Sequence, residues 1–274
     1  MKSGRNQPIG IFDSGIGGLT VAHAIHHLLP HESLIYFGDT AHFPYGDKSP
    51  ELIERYSVKI AEYLLRRGCK MIVIACNTAS AHAFKAVERL AGNAAIVINV
   101  IDPAAIAIAN TFEQGRVGVI GTRGTVQSGI YPRKIRKLNP DLQVSSLATP
   151  LLAPMIEEGF FNNKISRTII HSYLDKKTLS GIRGIILACT HYPLIRKEIE
   201  DYYKGKVIVF DSAEAVARQI REKLEAKDLV AISAIPALEF YISDLTESFQ
   251  QSAELFFREK IKLQKLQLSD TTEP

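Results

Sequence analysis

Tryptophan is absent from the 274 residues, and cysteine and methionine occur only three times each. The cysteines at 69, 76 and 189 are odd in number, and none belongs to a CxxC motif. That argues against a disulfide framework and against a thiol redox protein. No apolar run approaches the roughly 20 residues needed to cross a bilayer. The first eight residues are polar and lack the apolar centre of a signal peptide. Excess charge is also lacking: 33 Lys plus Arg stand against 29 Asp plus Glu, a net charge of +4. That is too slight to argue for a nucleic-acid partner. The cluster Arg133, Lys134, Arg136 and Lys137 reads as the solvated side of a helix rather than a phosphate site. These absences leave a soluble cytoplasmic protein with reduced thiols, and no membrane or nucleic-acid partner. With 46% hydrophobic residues, the chain has enough apolar surface for two ordinary domains.

Two stretches stand out because they look like copies. KMIVIACNTAS spans residues 70–80 and RGIILACTHYP spans residues 183–193. Each has an apolar, largely β-branched run, then Ala, then Cys, then small polar residues. A short continuous apolar run reads as a buried strand, and the polar residues after it read as a helix start. Cys76 and Cys189 thus fall at matching strand-to-helix junctions.

The rest of the chain repeats this β–α alternation. Residues 9–12 predict a strand ending in DSGIGG (13–18), which opens a helix with Val21, Ala22, Ile25, Leu28 and Leu29 on one face. The glycines fall short of GxGxxG, so a dinucleotide site is a weak reading. His23, His27 and His31 recur at spacing four. They read as a wet surface rather than a metal face, since no HExxH-type carboxylate accompanies them. A strand at 34–37 leads into the loop GDTAHFPYG (38–46), where the bland role for Asp39 is a local cap. A helix over 51–67 is expected to turn Leu52, Tyr56, Ile60, Tyr63 and Leu64 inward and to end at Gly68; Cys69 reads as packing. The first cysteine strand precedes a helix to about residue 90. An apolar run at 96–101 closes at Asp102-Pro103, taken as the end of a strand and a domain crossing. A strand at 117–120, GTRGT (121–125) and one helix to about 138 follow, then a strand at 142–145. A short helix over 151–158 carries Glu157 and Glu158, and a longer one over 162–179 carries Ile165, Ile169 and Tyr173. After the second cysteine strand, Pro193 suits a first helical turn. Residues 207–210 predict a strand, with Asp211-Ser212 capping a helix that buries Val216, Ile220 and Leu224. A strand near 240–242 and a helix from about 246, burying Phe249, Ala253, Phe256, Phe257 and Ile261, precede a polar tail from about 267.

This pattern predicts an α/β fold with mostly parallel sheets flanked by helices. The paired cysteine stretches suggest two similar domains with their strand ends facing. Ligands in such sheets bind beyond the carboxyl ends of strands, where Asp13, Asp39, Cys76, Thr122 and Cys189 are placed. A thiol at a helix start has a lowered pKa, and helix starts also suit carboxylates. One thiolate can take a proton from one face of a carbon acid while the other thiol returns one to the opposite face. The result is inversion without a metal or cofactor, with Asp13, Glu157 or His191 tuning the protons. Taken singly, a cysteine ending an apolar strand is more often a small buried hydrophobe. Two in matching frames favour chemistry. Spacing does not identify the substrate.

These residues resemble the glutamate racemase family, cofactor-independent enzymes that supply D-glutamate for peptidoglycan. The likeness covers nearly the whole chain: FDSGIGGL, GDTAHFPYG, ACNTAS, the GT-x-GT segment, the glutamate of EEG, CTHYPLI, the Asp211-Ser212 pair and a late FYISD. One departure is Ala188, where the family usually has Gly; it is tolerable if the backbone avoids positive φ. The resemblance implies that Cys76 takes the α-proton of D-glutamate and Cys189 that of L-glutamate. It implies that Asp13 assists Cys76 and His191 assists Cys189, with Asp39 and Glu157 as further catalytic support. Ser14, Asn77, Thr78 and Thr190 would hold the substrate's charged groups. The Tyr45-Gly46 loop would add contacts, and Asp13, His191, Thr122 and Thr125 complete the expected substrate-binding set. Also implied are two pseudo-symmetric α/β domains with the site between them, a homodimer, and no metal, pyridoxal phosphate or nucleotide. The domains would be residues 1–101 with 211–274, and residues 102–210. An aspartate or hydantoin racemase of the same superfamily is the near alternative, and a nonenzymatic anion-binding module the more distant one.

Overall fold

A run such as Met-Ile-Val-Ile can bury both faces only inside a sheet covered on both sides, and that is where it lies. The computed structural model describes residues 4–232 and 235–268. Among these residues, ten strands form two parallel sheets. The first contains β1 (Ile9–Asp13), β2 (Leu34–Gly38), β3 (Met71–Ile74), β4 (Ile96–Asn99), β9 (Leu238–Ile242) and β10 (Leu263–Lys265). Its order is β10-β9-β2-β1-β3-β4. The second contains β5 (Gly115–Gly121), β6 (Leu142–Ala148), β7 (Gly184–Ala188) and β8 (Ile208–Asp211), in the order β6-β5-β7-β8.

The helices are α1 (Leu19–Leu28), α2 (Pro50–Arg66), α3 (Asn77–Ala91), α4 (Ile101–Thr111), α5 (Arg123–Gln127), α6 (Ile130–Leu138), α7 (Leu152–Glu157), α8 (Lys164–Leu174), α9 (Arg196–Tyr203), α10 (Ser212–Ala226) and α11 (Glu247–Phe257). Setting aside β9 and β10 at one edge, the two sheets have the same order: β2-β1-β3-β4 corresponds to β6-β5-β7-β8. In each, the chain runs from the central strand to one side, then returns to the other side of that strand. The crevice at such a reversal is where open parallel sheets bind ligands. It lies between β1 and β3 in one sheet and between β5 and β7 in the other.

β1, β2, β3 and β7 are buried along their whole length, as continuous apolar runs require. Each fully buried Ile or Val contributes about 1.5–3 kcal/mol. The reading of two cysteine strands, of the Asp211 cap on α10 and of Cys69 as packing all hold. Cys69 is buried, and burial pushes its thiol up to about 12.

Several expectations shift. The buried stripe of α2 is Ile53, Ser57, Ile60, Ala61 and Leu64. Leu52, Tyr56 and Tyr63 are only half-buried, and the Tyr63 hydroxyl stays outside to accept a hydrogen bond from Arg67 at 2.6 Å. The run at 96–101 is not one strand. Asn99 ends β4, and its side-chain oxygen accepts from the backbone N–H groups of Ile101 and Asp102, which starts α4. Pro103 lies in the first turn of that helix, where no N–H is needed. The single helix expected to 138 is broken: Gly129 adopts φ +62°, which costs glycine little and other residues more. The helix expected over 162–179 stops at Leu174, followed by a 3₁₀ turn at Lys177–Leu179. Its inward residues are Ser166, Ile170 and Leu174, with Ile165 exposed. α1 ends before His31, so the three histidines do not share a helix. In α11, Phe249 is only half-buried and Ile261 lies past the helix end. β10 is an additional strand at the edge. Of the polar tail, residues 269–274 lie outside the described residues.

Candidate active site

The two cysteine junctions point into one small cavity. Cys76 follows β3 and is the N-cap of α3, its sulfur accepting from the Ala79 N–H at 3.5 Å. Its thiol donates to Ser14 Oγ, also at 3.5 Å. Cys189 follows β7, but no α-helix starts there. A 3₁₀ turn at Tyr192–Ile195 comes first, and α9 begins only at Arg196. The expected symmetry of two helix starts is therefore broken, because Pro193 sits in a tight turn. Ala188 ends β7 and is not among the residues with positive φ, which explains why alanine is accommodated.

Both thiols line the cavity. So do Ser14 beyond β1, Asn77 and Thr78 at the start of α3, Thr122 beyond β5, and Thr190 and His191. The loop after β2 covers it with Tyr45 and Gly46, together with Phe43 and Pro44. Of the expected set, Asp13, Asp39, Thr125 and Glu157 stand one layer back. Thr125 hydrogen-bonds to Thr78 and Thr122, each at 3.1 Å, and those two hydroxyls are 2.9 Å apart. Asp39 accepts from the Tyr45 hydroxyl at 2.6 Å and from Ser243 at 3.0 Å, and it meets His42 Nδ1 at 2.8 Å. It holds the covering loop rather than reaching the cavity. Phe43, Pro44, Ala153 and Ala188 line the cavity outside the expected set; all but Ala153 lie in motifs the sequence singled out.

The two thiols have different neighbours. Behind Cys76 lies Asp13, fully buried. Its carboxylate accepts from the Gly15 N–H at 3.1 Å and from the Thr190 hydroxyl at 3.4 Å. Burial raises the Asp13 pKa, partly offset by His191 and the Gly15 N–H. Burial first and the Asp13 charge second push the Cys76 thiol up to about 12. The lowering expected from the helix start is outweighed, because desolvation penalises a buried thiolate more than one N–H and a partial dipole relieve it. Beside Cys189 stands His191, with Nδ1 at 3.7 Å from the sulfur and Nε2 at 2.7 Å from Glu157 Oε1. Burial alone would lower the His191 pKa. The Cys189 sulfur and the Glu157 carboxylate outweigh it and hold the ring well above its ordinary 6.5.

Gly17 makes this arrangement fit. A Cβ there would lie 2.5 Å from the His191 ring and 2.6 Å from Thr190 Oγ1. Phe256 on α11 packs edge-on against the same ring, 5.2 Å between centroids. The cavity holds about 30 Å³ of free space, room for a water or two. A wider cleft of about 520 Å³ lies between α1 and α10 and is lined by His23 and His27. Among the described residues, no three His, Cys, Asp or Glu side chains group as a metal site. No helix there is long and apolar enough to cross a membrane.

Two parallel sheets of like order each deliver a cysteine to a shared cavity at the reversal point of their strands. The sequence pattern of the Asp/Glu/hydantoin racemases matches residues 19–220, and the chain belongs to that family. Its homologues are glutamate racemases, which are isomerases. The glutamate racemase of Geobacter metallireducens is 41% identical over 92% of this chain and 93% of its own. That of Chlorobaculum parvum is 43% identical over 91% and 92%. The crystal structure of glutamate racemase from Francisella tularensis subsp. tularensis SCHU S4, in complex with D-glutamate, superposes with a TM-score of 0.91. It is 35% identical and covers 97% of this chain and 100% of its own.

Proposed function

We propose that this chain interconverts L- and D-glutamate by proton transfer at Cα between two cysteines. The observation that carries the reading is the meeting of Cys76 and Cys189 in one cavity, from equivalent places in two equivalent sheets. His191, held charged beside Glu157, stands against the Cys189 sulfur as its proton partner. Cys76, raised to about 12, keeps its proton. The resting pair is then one base and one acid. With L-glutamate bound, the Cα–H bond breaks toward the Cys189 sulfur and the electron pair passes into the α-carboxylate. The Cys76 S–H then breaks, and its proton forms the new Cα–H on the opposite face. The product state has Cys189 as thiol and Cys76 as thiolate, which is the form that accepts D-glutamate. Asn77, Thr78, Thr190 and the Tyr45-Gly46 loop would hold the charged groups of the substrate, with Thr122 and Thr125 supporting Thr78.

A cavity of about 30 Å³ is too small for glutamate, so the covering loop or the two halves separate for entry. Sheet membership supports the division into residues 1–101 with 211–274 and residues 102–210 except at its last boundary, where Asp211 still pairs with Leu187 in the second sheet. The supply of D-glutamate to peptidoglycan, a cytoplasmic location and a homodimer follow from the family likeness and belong to this reading.

The test is turnover of L-glutamate in D₂O with no cofactor added, followed by NMR and chiral detection. Deuterium entering Cα chiefly in the D product at early times supports two bases on opposite faces. Absence of both exchange and D-glutamate refutes the assignment. A clear preference for aspartate in parallel assays would transfer it to the neighbouring activity.

A further inference from the structure

Asn77 is the first residue of α3, directly after Cys76, and is 2% exposed. It lines the cavity, and its Nδ2 has no hydrogen-bond partner among the described residues. A buried amide nitrogen left unpartnered costs free energy unless a ligand supplies the acceptor. The other end of the side chain is held. Tyr131, on α6 and packed with the other sheet, donates its hydroxyl to Asn77 Oδ1 at 2.7 Å.

Tyr131 is itself 1% exposed, and among the described residues this is its hydroxyl's one hydrogen bond. A buried phenol that keeps its proton has to give it to an acceptor. A carboxamide has a donor end and an acceptor end of nearly equal size, and only its surroundings decide which way it points. Turned over, Asn77 would leave the Tyr131 proton facing N–H groups. It would also aim an oxygen into a cavity meant for an anion.

We propose that Tyr131 is a positioning residue that locks the Asn77 carboxamide with its N–H groups aimed into the cavity, as a preset donor to a substrate carboxylate. The proposal rests on the glutamate reading above. It also gives the second half of the chain a hand in building an anion contact on the first half. α6 carries no group that touches the cavity, so the influence of Tyr131 runs through Asn77 alone.

The experiment is a double-mutant cycle with Tyr131→Phe and Asn77→Ala, assayed with both enantiomers of glutamate. Tyr131→Phe removes one oxygen and keeps the ring, so packing is retained. It is expected to raise KM for both enantiomers about tenfold, with kcat within about twofold. In the Asn77→Ala background, the same change is expected to add nothing, because its route is gone. An unchanged KM, or an equal increment on Asn77→Ala, overturns the assignment. The unmodified protein assayed alongside separates the two levels of failure. If it does not racemise glutamate, the functional reading fails and this assignment with it. If it does and Tyr131→Phe is unaltered, this assignment fails alone.

Discussion

The Glu157→Gln variant probes the Cys189 side of the cavity. Glutamine keeps the shape and can still accept from His191 Nε2, now 2.7 Å from the carboxylate. What it removes is the negative charge opposite a ring that is 2% exposed. A hydrogen bond to a charged group is worth about 1.5–3 kcal/mol, and 1.36 kcal/mol is one pH unit. Proton transfer that leans on the charged His191 ring should weaken by a comparable amount. The two enantiomers have equal free energy in water. kcat/KM must therefore fall by the same factor in both directions, about ten- to a hundredfold. The asymmetry appears elsewhere. On the proposed mechanism, a Cα deuteron of L-glutamate moves to Cys189, through the step that has become harder. In the reverse direction it moves to Cys76. The primary isotope effect should rise with Cα-deuterated L-glutamate and fall with the D enantiomer, because the Cys189 barrier takes a larger share of the limitation in both directions. A loss under about threefold would refute the reasoning, as would an isotope effect that rises only on the D side.

Four other expectations follow from the same geometry. Gly17→Ala places a Cβ against the His191 ring and should lower kcat about a hundredfold; a variant as active as the parent would show that the ring has room to move. Cys76, at about 12, should be thiolate in only about one part in ten thousand at pH 8, so iodoacetamide mapped by mass spectrometry should reach Cys189 first. His191 is raised above 6.5, so its contribution to stability is complete below that pH and is lost as pH rises through the higher folded value. Denaturant melts of the parent and His191→Asn should accordingly converge as pH climbs above 6.5. Cys69→Ala should cost about 1 kcal/mol of stability and leave kcat unchanged, since Cys69 packs under Gly10 away from the cavity.

How far the sequence discloses this structure depends on the range of the interactions. β3 and β7 are legible because an unbroken apolar run has few places to go. The cap on α10 is legible because Asp211 acts on the N–H of Ala213, two residues on. α4 is not, because Pro103 suggests an ending while the cap that starts the helix is the side chain of a strand residue, Asn99. The face of α2 is misplaced because tyrosines satisfy apolar periodicity while their hydroxyls hold them at the rim. In the site, the repeated strand–Ala–Cys pattern marks both thiols. Which residues stand one layer behind them is not written locally. Asp39 reads like a site residue from its loop and proves to anchor Tyr45. Tyr131 belongs to no motif the sequence marks, and it grips Asn77 from 54 positions away.

The two halves share a strand order, yet they cannot share an electrostatic environment if the proposed reaction is to run. Two thiols of equal affinity, with that affinity far from the working pH, would mostly rest both protonated or both ionised, and neither state can give a proton to one face while taking one from the other. The topology supplies equivalence of position. The departures from it supply the difference in proton affinity. Cys76 has a helix start but also a buried carboxylate at its back, and the carboxylate together with burial prevails. Cys189 lacks a helix start and has an imidazole instead, held by a glutamate from α7 that is 34 positions away in sequence. Exchanging these environments, with a neutral residue at Asp13 and Gln at Glu157, should bring the two thiols toward equal affinity. On this argument each change alone impairs turnover, and together they impair it further, because Cys76 loses the carboxylate behind it and His191 loses its counter-charge.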